Sequence, residues 1–271
     1  MNTNRPKSKL FRLLRQYSIL IAVLSAACVP AHAAEEVVTF ESRPGVTQSL
    51  LFLTPDTPPK ASLILYVGSG GAIGLRTDWR QARRGNNFLF RSADLFVQAG
   101  FQVAVIDAPS DSPSALWNLR SHKAHAEDTA AAIAFLRRKA AIPVWLIGTS
   151  MGTVSVANAA ARLQHGGPDG IVLTSSVTLT TKRSSESVLS VDLDEIRVPM
   201  LVVNHLTDSC PASPPHDAQR ILDKATNSPR QMILSFSGGK PSESDECEPF
   251  SSHGYYGIEP EVVTAIIDWI K

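Results

Sequence analysis

The chain has 271 residues, of which 44% are hydrophobic and 19% charged, with a formal net charge of +1. That is enough for one large α/β domain or two small ones. The near-balance of charge, with no basic stripe or interleaved aromatic and basic residues, argues against a nucleic-acid binder.

Arg5, Lys7, Lys9, Arg12 and Arg15 precede an apolar stretch, Ile19–Val29, too short to span a bilayer, and Ala31-His32-Ala33 offers small residues for cleavage. Residues 1–33 therefore read as a secretory signal peptide and residues 34–271 as a single domain. The expected location is periplasmic or secreted, with no stable membrane insertion after cleavage. A lipoprotein anchor at Cys28 is the lesser alternative, because the leucine of Leu24-Ser25-Ala26-Ala27-Cys28 sits one place too far upstream. Cleavage would leave Cys210 and Cys247, and an even pair in an exported chain points to a disulfide; two buried free thiols are the other reading.

Val37–Phe40 and Ser49–Leu53 read as strands around a Pro44-Gly45 turn, expected at the antiparallel edge of a larger sheet. Ala61–Val67 is a fully apolar third strand. Gly68-Ser69-Gly70-Gly71 follows it directly, and such a loop leaves backbone N–H groups free to face an anion. It lacks the Gly-Lys-Ser/Thr ending of a phosphate loop. Asn86–Gly100 has helical spacing, and Phe101–Asp107 is a fourth strand whose terminal aspartate is expected to hold loop backbone. Ser121–Ala140 reads as a helix, with His122 and His125 near its start in surface or capping roles.

Pro143–Ile147 is a buried strand that turns directly into the Ala-rich helix beginning Val154-Ser155-Val156-Ala157, through Gly148-Thr149-Ser150-Met151-Gly152. In this Gly-x-Ser-x-Gly pattern the glycines relieve crowding where a strand meets a helix, and the serine is lifted to the positive end of that helix. Ile171–Ser175 is a sixth strand. The polar segment 177–197 is too short to form a lid domain. Val198–His205 is a seventh strand, followed by Asp208 and Cys210; Asp217–Ala225 is helical, and Gln231–Phe236 is the eighth strand. A long loop, 237–257, carries Cys247 and His253, and Glu259-Pro260-Glu261 opens the last helix. Alternating strands and helices predict a mostly parallel sheet covered on both faces, with ligands above the carboxyl ends of the strands.

These pieces together resemble the α/β-hydrolase superfamily: Gly148-Thr149-Ser150-Met151-Gly152 between strand and helix, a glycine loop after the third strand, an aspartate after the seventh and a histidine after the eighth. The chain also looks like a group of small exported bacterial hydrolases with an Asp-x-Cys and a later Cys-Glu…His-Gly-Tyr segment. The resemblance implies an α/β-hydrolase fold with an eight-stranded, mostly parallel sheet and no large lid. It implies Ser150 as nucleophile, His253 as base and Asp208 as the acid that orients it. The N–H of Met151 would be one oxyanion donor, and Ser69 or Gly70 would supply the second. Asp245 and Glu246 are rival acids and His205 a rival base. Val67-Gly68 stands where many relatives carry His-Gly. A Cys210–Cys247 bridge would tie the acid loop to the base loop.

The implied activity is hydrolysis of a small-molecule carboxylic ester, with no cofactor and no metal. A thioesterase or amidase of the same mechanism is the alternative, and a non-catalytic binding protein on this fold is the rival from another class.

Overall fold

In the computed structural model, which describes residues 1–2, 34–75 and 87–271, hydrophobic alternation along the strands sets the architecture. The signal-peptide reading of residues 1–33 and the first residue of the expected 86–100 helix lie outside the described residues. Along β3 (Ser62–Tyr66), Leu63 and Leu65 face one apolar core while Ile64 and Tyr66 face another, as a period of two requires of a sheet covered on both sides.

The eight strands run in the order β1-β2-β4-β3-β5-β6-β7-β8. β1 (Ala34–Arg43) and β2 (Val46–Thr54) form the antiparallel edge, and β2 also pairs antiparallel with β4 (Gln102–Ile106). β3, β4, β5 (Val144–Thr149), β6 (Gly170–Thr174), β7 (Met200–His205) and β8 (Gln231–Phe236) are parallel to one another. These strands fall where the sequence places them, within a few residues at their ends.

The helices divide between the faces. α1 (Phe88–Arg91), α2 (Ala93–Gln98) and α6 (Glu259–Ile270) pack against the core that contains Leu63 and Leu65. α3 (Lys123–Lys139), α4 (Gly152–Arg162) and α5 (Ala218–Lys224) pack on the other. The single helix expected over 86–100 is instead two short ones that meet at Ser92. Phe88, Leu89 and Phe90 are all buried, and one straight helix with a single apolar stripe cannot bury three consecutive residues.

Segment 177–197 contains only two short turns of 3₁₀ helix, Val188–Ser190 and Leu193–Glu195, so this segment forms no lid domain. Among the described residues no helix is long and apolar enough to cross a membrane.

Strand order reverses between β3 and β5: the chain moves outward from β3 to β4 and then returns to the other side of β3. At such a switch point neighbouring connections leave in opposite directions and open a crevice at the carboxyl ends. The glycine loop after β3 and Ser150 after β5 flank that crevice.

Candidate active site

Ser150 sits between β5 and α4 with φ +52°, a left-handed conformation that is costly for a residue with a Cβ. It is locked there. Its N–H donates to Thr174 O at 3.0 Å, and its carbonyl accepts from Thr153 N at 3.0 Å and Thr153 Oγ1 at 2.6 Å. The two elbow glycines are needed for close approach. A Cβ on Gly148 would lie 2.5 Å from Gly152 O, and one on Gly152 would overlap the Tyr66 carbonyl. The turn is thus wedged against β3 as well as coiled on itself.

Across the crevice, the loop after β3 places Gly68 and Ser69 in the lining of a cavity of about 350 Å³ that also contains Ser150, Met151 and His253. Gly70 is not brought to that lining. It faces Ala115, and its carbonyl accepts from Leu116 N at 2.8 Å. The Gly68 carbonyl accepts from Gly71 N at 3.1 Å. Because C=O and N–H point oppositely across a trans peptide, this turn also fixes the direction of the Ser69 N–H.

Arg120 holds this loop from beneath. It is 1% exposed, and its guanidinium donates to Val67 O at 3.1 Å, Ser69 O at 3.0 Å and Ser155 Oγ at 2.8 Å. It therefore links the glycine loop to α4, the helix that starts at the elbow. Burial lowers its pKa to about 10, with Glu186 opposing. His125 joins the same cluster through Nε2 and Ser155 Oγ at 2.9 Å. Burial, and then the charge of Arg120, push its imidazole down to about 3. The surface or capping role expected for His125 is therefore corrected: α3 turns it inward, against a buried serine that no local periodicity announces.

Asp208 and His253 meet. His253 Nδ1 and Asp208 Oδ2 are 2.9 Å apart, and both side chains are almost wholly buried. The other carboxylate oxygen accepts from Cys210 N at 2.9 Å. His253 Nε2, on the far side of the ring, is buried without a hydrogen-bond partner among the described residues. A ring held at one nitrogen and bare at the other can take up a proton from a group entering the cavity.

The backbone around His253 is pinned from four directions. Its carbonyl accepts from Ser175 Oγ at 2.8 Å, and its N–H donates to Ser251 Oγ at 3.2 Å. Arg91 donates to Gly254 O at 2.6 Å and pairs with Glu259 at 2.9 Å. Tyr255, fully buried with φ +56°, donates its hydroxyl to Val203 O at 2.9 Å and accepts from Ser175 N at 3.0 Å. Burial pushes the Tyr255 phenol up, so it stays a donor. A covalent tie completes the set: Cys210 and Cys247 form a disulfide, with Cα atoms 4.7 Å apart across a separation of 37 residues. Both cysteines line the cavity.

The rivals lie elsewhere. His205 bonds Gly238 O at 3.1 Å and Thr207, and is not part of the cavity lining. Neither Asp245 nor Glu246 contacts the His253 ring, whose carboxylate partner is Asp208. Asp107, as expected, holds loop backbone, accepting from Ile73, Leu75 and Ala108. Among the described residues, no group of three or more His, Cys, Asp or Glu side chains could hold a metal ion. Sequence reasoning missed Arg120, Ser155, Ser175 and Tyr255. Only Tyr255 had a local signal, its place two residues after His253.

No protein-family profile matches this sequence, and no curated protein matches it significantly. Solved structures do. A thermostable carboxyl esterase from Bacillus coagulans aligns at TM-score 0.61 and 13% identity, over 88% of this chain and 98% of that one. An α/β serine hydrolase homologue from Coxiella burnetii aligns at 0.59 and 14%, over 87% and 97%. A lidless α/β serine hydrolase from Xanthomonas campestris aligns at 0.55 and 13%, over 88% and 96%. The strand order and these likenesses establish that the chain has the α/β-hydrolase fold.

Proposed function

We propose that this protein is an exported serine hydrolase that cleaves carboxylic esters. The observation that carries the reading is the orientation of His253: Asp208 holds Nδ1, and the bare Nε2 is buried beside the cavity that Ser150 enters. Ser150 Oγ attacks the ester carbonyl while its proton passes to His253 Nε2. The tetrahedral oxyanion collapses, the alkoxide leaves with that proton, and an acyl-Ser150 ester remains. Water then gives its proton to His253, attacks the acyl carbon, and releases the acid and the free serine. Asp208 stabilises the imidazolium formed in each half.

The oxyanion donors are the N–H groups of Met151 and Ser69. Met151 follows the nucleophile at the start of α4, where helix N–H groups point outward. Ser69 is chosen over Gly70 because it lines the cavity and Gly70 does not. The esterase titles of fold neighbours support ester chemistry for this chain. Export is supported by the basic and apolar pattern of residues 1–33 and by the disulfide, a bond that persists in oxidising compartments.

The test is covalent labelling. A fluorophosphonate probe is expected to modify the wild-type protein at Ser150 and to leave Ser150→Ala unlabelled. Equal labelling of both proteins, or none of either, removes the catalytic reading.

A further inference from the structure

Most of the cavity wall is apolar: Phe88, Trp117, Val177, Ala212 and Pro249 contribute to it. Two exposed cations, Lys182 and Arg183, share the lining with Ser150 and His253. Neither forms an ion pair with a carboxylate among the described residues. One carboxylate, Glu248, also reaches the lining, so among the described lining residues positive charge exceeds negative by one.

The backbone that presents the two cations is fixed. Thr181 Oγ1 accepts from Arg183 N at 3.2 Å and Ser184 N at 3.1 Å, and Thr181 N donates to Ser184 O at 2.8 Å. Asn118 Oδ1 then accepts from Ser185 N at 2.8 Å. Glu186, 5% exposed, accepts from Ser121 N at 2.6 Å and anchors the far end to the start of α3. The segment is thus tied down around two cations that line the cavity and have no ion-pair partner among the described residues.

We infer that the substrate is an acidic ester: an apolar body with a carboxylate at the end remote from the scissile bond, as in a half-ester of a dicarboxylic acid. The inference rests on reading this cavity as the ester-binding site. An ester with a neutral tail would gain only the apolar wall. An ester ending in a carboxylate would also meet Lys182 and Arg183 in a cleft, where the field of like charges adds and steers the anion inward. Partial exposure keeps the gain modest and makes it sensitive to salt.

The experiment uses Ser150→Ala protein, so that binding is read without turnover. Monoethyl succinate, glutarate and adipate are titrated calorimetrically, each against the neutral ester in which an isopropyl group replaces the carboxylate. At least one half-ester is expected to bind roughly tenfold more tightly than its isostere at low ionic strength, and the ratio to fall to about twofold in 0.5 M salt. Adding Lys182→Gln and Arg183→Gln is expected to bring the low-salt ratio down to about twofold as well. The inference is overturned if no half-ester binds, if none outbinds its isostere, or if the preference survives salt or the double substitution. Its failure is distinct from that of the catalytic reading. Labelled Ser150 without an acid preference removes only the acidic substrate. An acid preference without labelling removes the chemistry and keeps the site.

Discussion

The two sides of the cavity are held by different physics. On the serine side, the elbow and the β3 loop rest on the core: glycine contacts wedge the turn, and a buried guanidinium binds loop and helix together. On the histidine side, the exit loops of β7 and β8 are tied to each other by a disulfide and the Asp208–His253 hydrogen bond, and the histidine backbone is held by Ser251 and Ser175 side chains. Packing fixes a short turn because every atom has neighbours. A long loop has few, so it needs named crosslinks. The serine side should therefore fail through steric change, and the histidine side through the loss of individual bonds.

The largest expected effect sets the covalent tie against everything else. Replacing Cys210 and Cys247 by serine, or reducing the protein, should cost about 4 kcal/mol by the loop-entropy argument, read as a lower unfolding midpoint in urea with kcat falling alongside. Full activity and unchanged stability after reduction would mean that hydrogen bonds alone hold His253, and the contrast would dissolve. Gly152→Ala comes next. Its Cβ meets backbone rather than a flexible side chain, so it should cost about 3 kcal/mol and lower kcat/KM by roughly a hundredfold through displacement of Ser150. Wild-type kinetics in this variant would show that the elbow is not rigidly wedged.

Arg120→Met should act on rate more than on substrate affinity. Replacing a buried charge by an apolar chain has opposing effects on stability, but the Val67 and Ser69 carbonyls lose their donor. A fall in kcat of about tenfold, with KM nearly constant, is expected. A KM effect alone would make Arg120 a scaffold for the pocket wall only. Tyr255→Phe should cost about 1 kcal/mol, since Ser175 N–H and Val203 C=O lose the phenol but keep their own bond at 2.9 Å, with a slight loss of rate.

A last effect is read against pH. His125 is depressed to about 3 in the folded chain against 6.5 as its ordinary value, so below about 6.5 the unfolded chain binds the extra proton. Its contribution is full above that pH and declines as the pH falls toward 3. In His125→Gln, urea midpoints measured from pH 7 to 4 should decline less steeply than in the wild type. Identical slopes would show that His125 does not drive the acid sensitivity.

The serine side was the more legible in sequence, up to a point. Gly148, Ser150 and Gly152 are adjacent, and a strand-to-helix switch announces itself in composition. Asp208 and His253, a hydrogen-bonded pair in the structure, were singled out by their order after β7 and β8, and the cysteine pair by its parity. What stayed hidden is what crosses the fold. Arg120 lies in an irregular segment and binds carbonyls about fifty residues earlier in the chain, and no periodicity encodes such a partner. Ser175 looks like the end of a strand until Tyr255 and His253 are seen against it. The break at Ser92 was missed because helical spacing alone does not reveal that Phe88, Leu89 and Phe90 all need burial. Between Ser69 and Gly70 the sequence left the proposed second oxyanion donor open, because only the course of the β3 loop decides which of them lines the cavity.

The strand order also has a consequence for the birth of the molecule. β2, β4, β3, β5 and β6 are all made by Thr174, so every strand that positions Ser150 precedes the C-terminal third of the chain. His253 arrives only with the segment after β8, and its loop is clasped by Arg91 and Glu259 at the start of the final helix. Long-range pairings of this kind form late. A chain cut short before β8 therefore carries the shaped turn at Ser150 without the imidazole that lines its cavity.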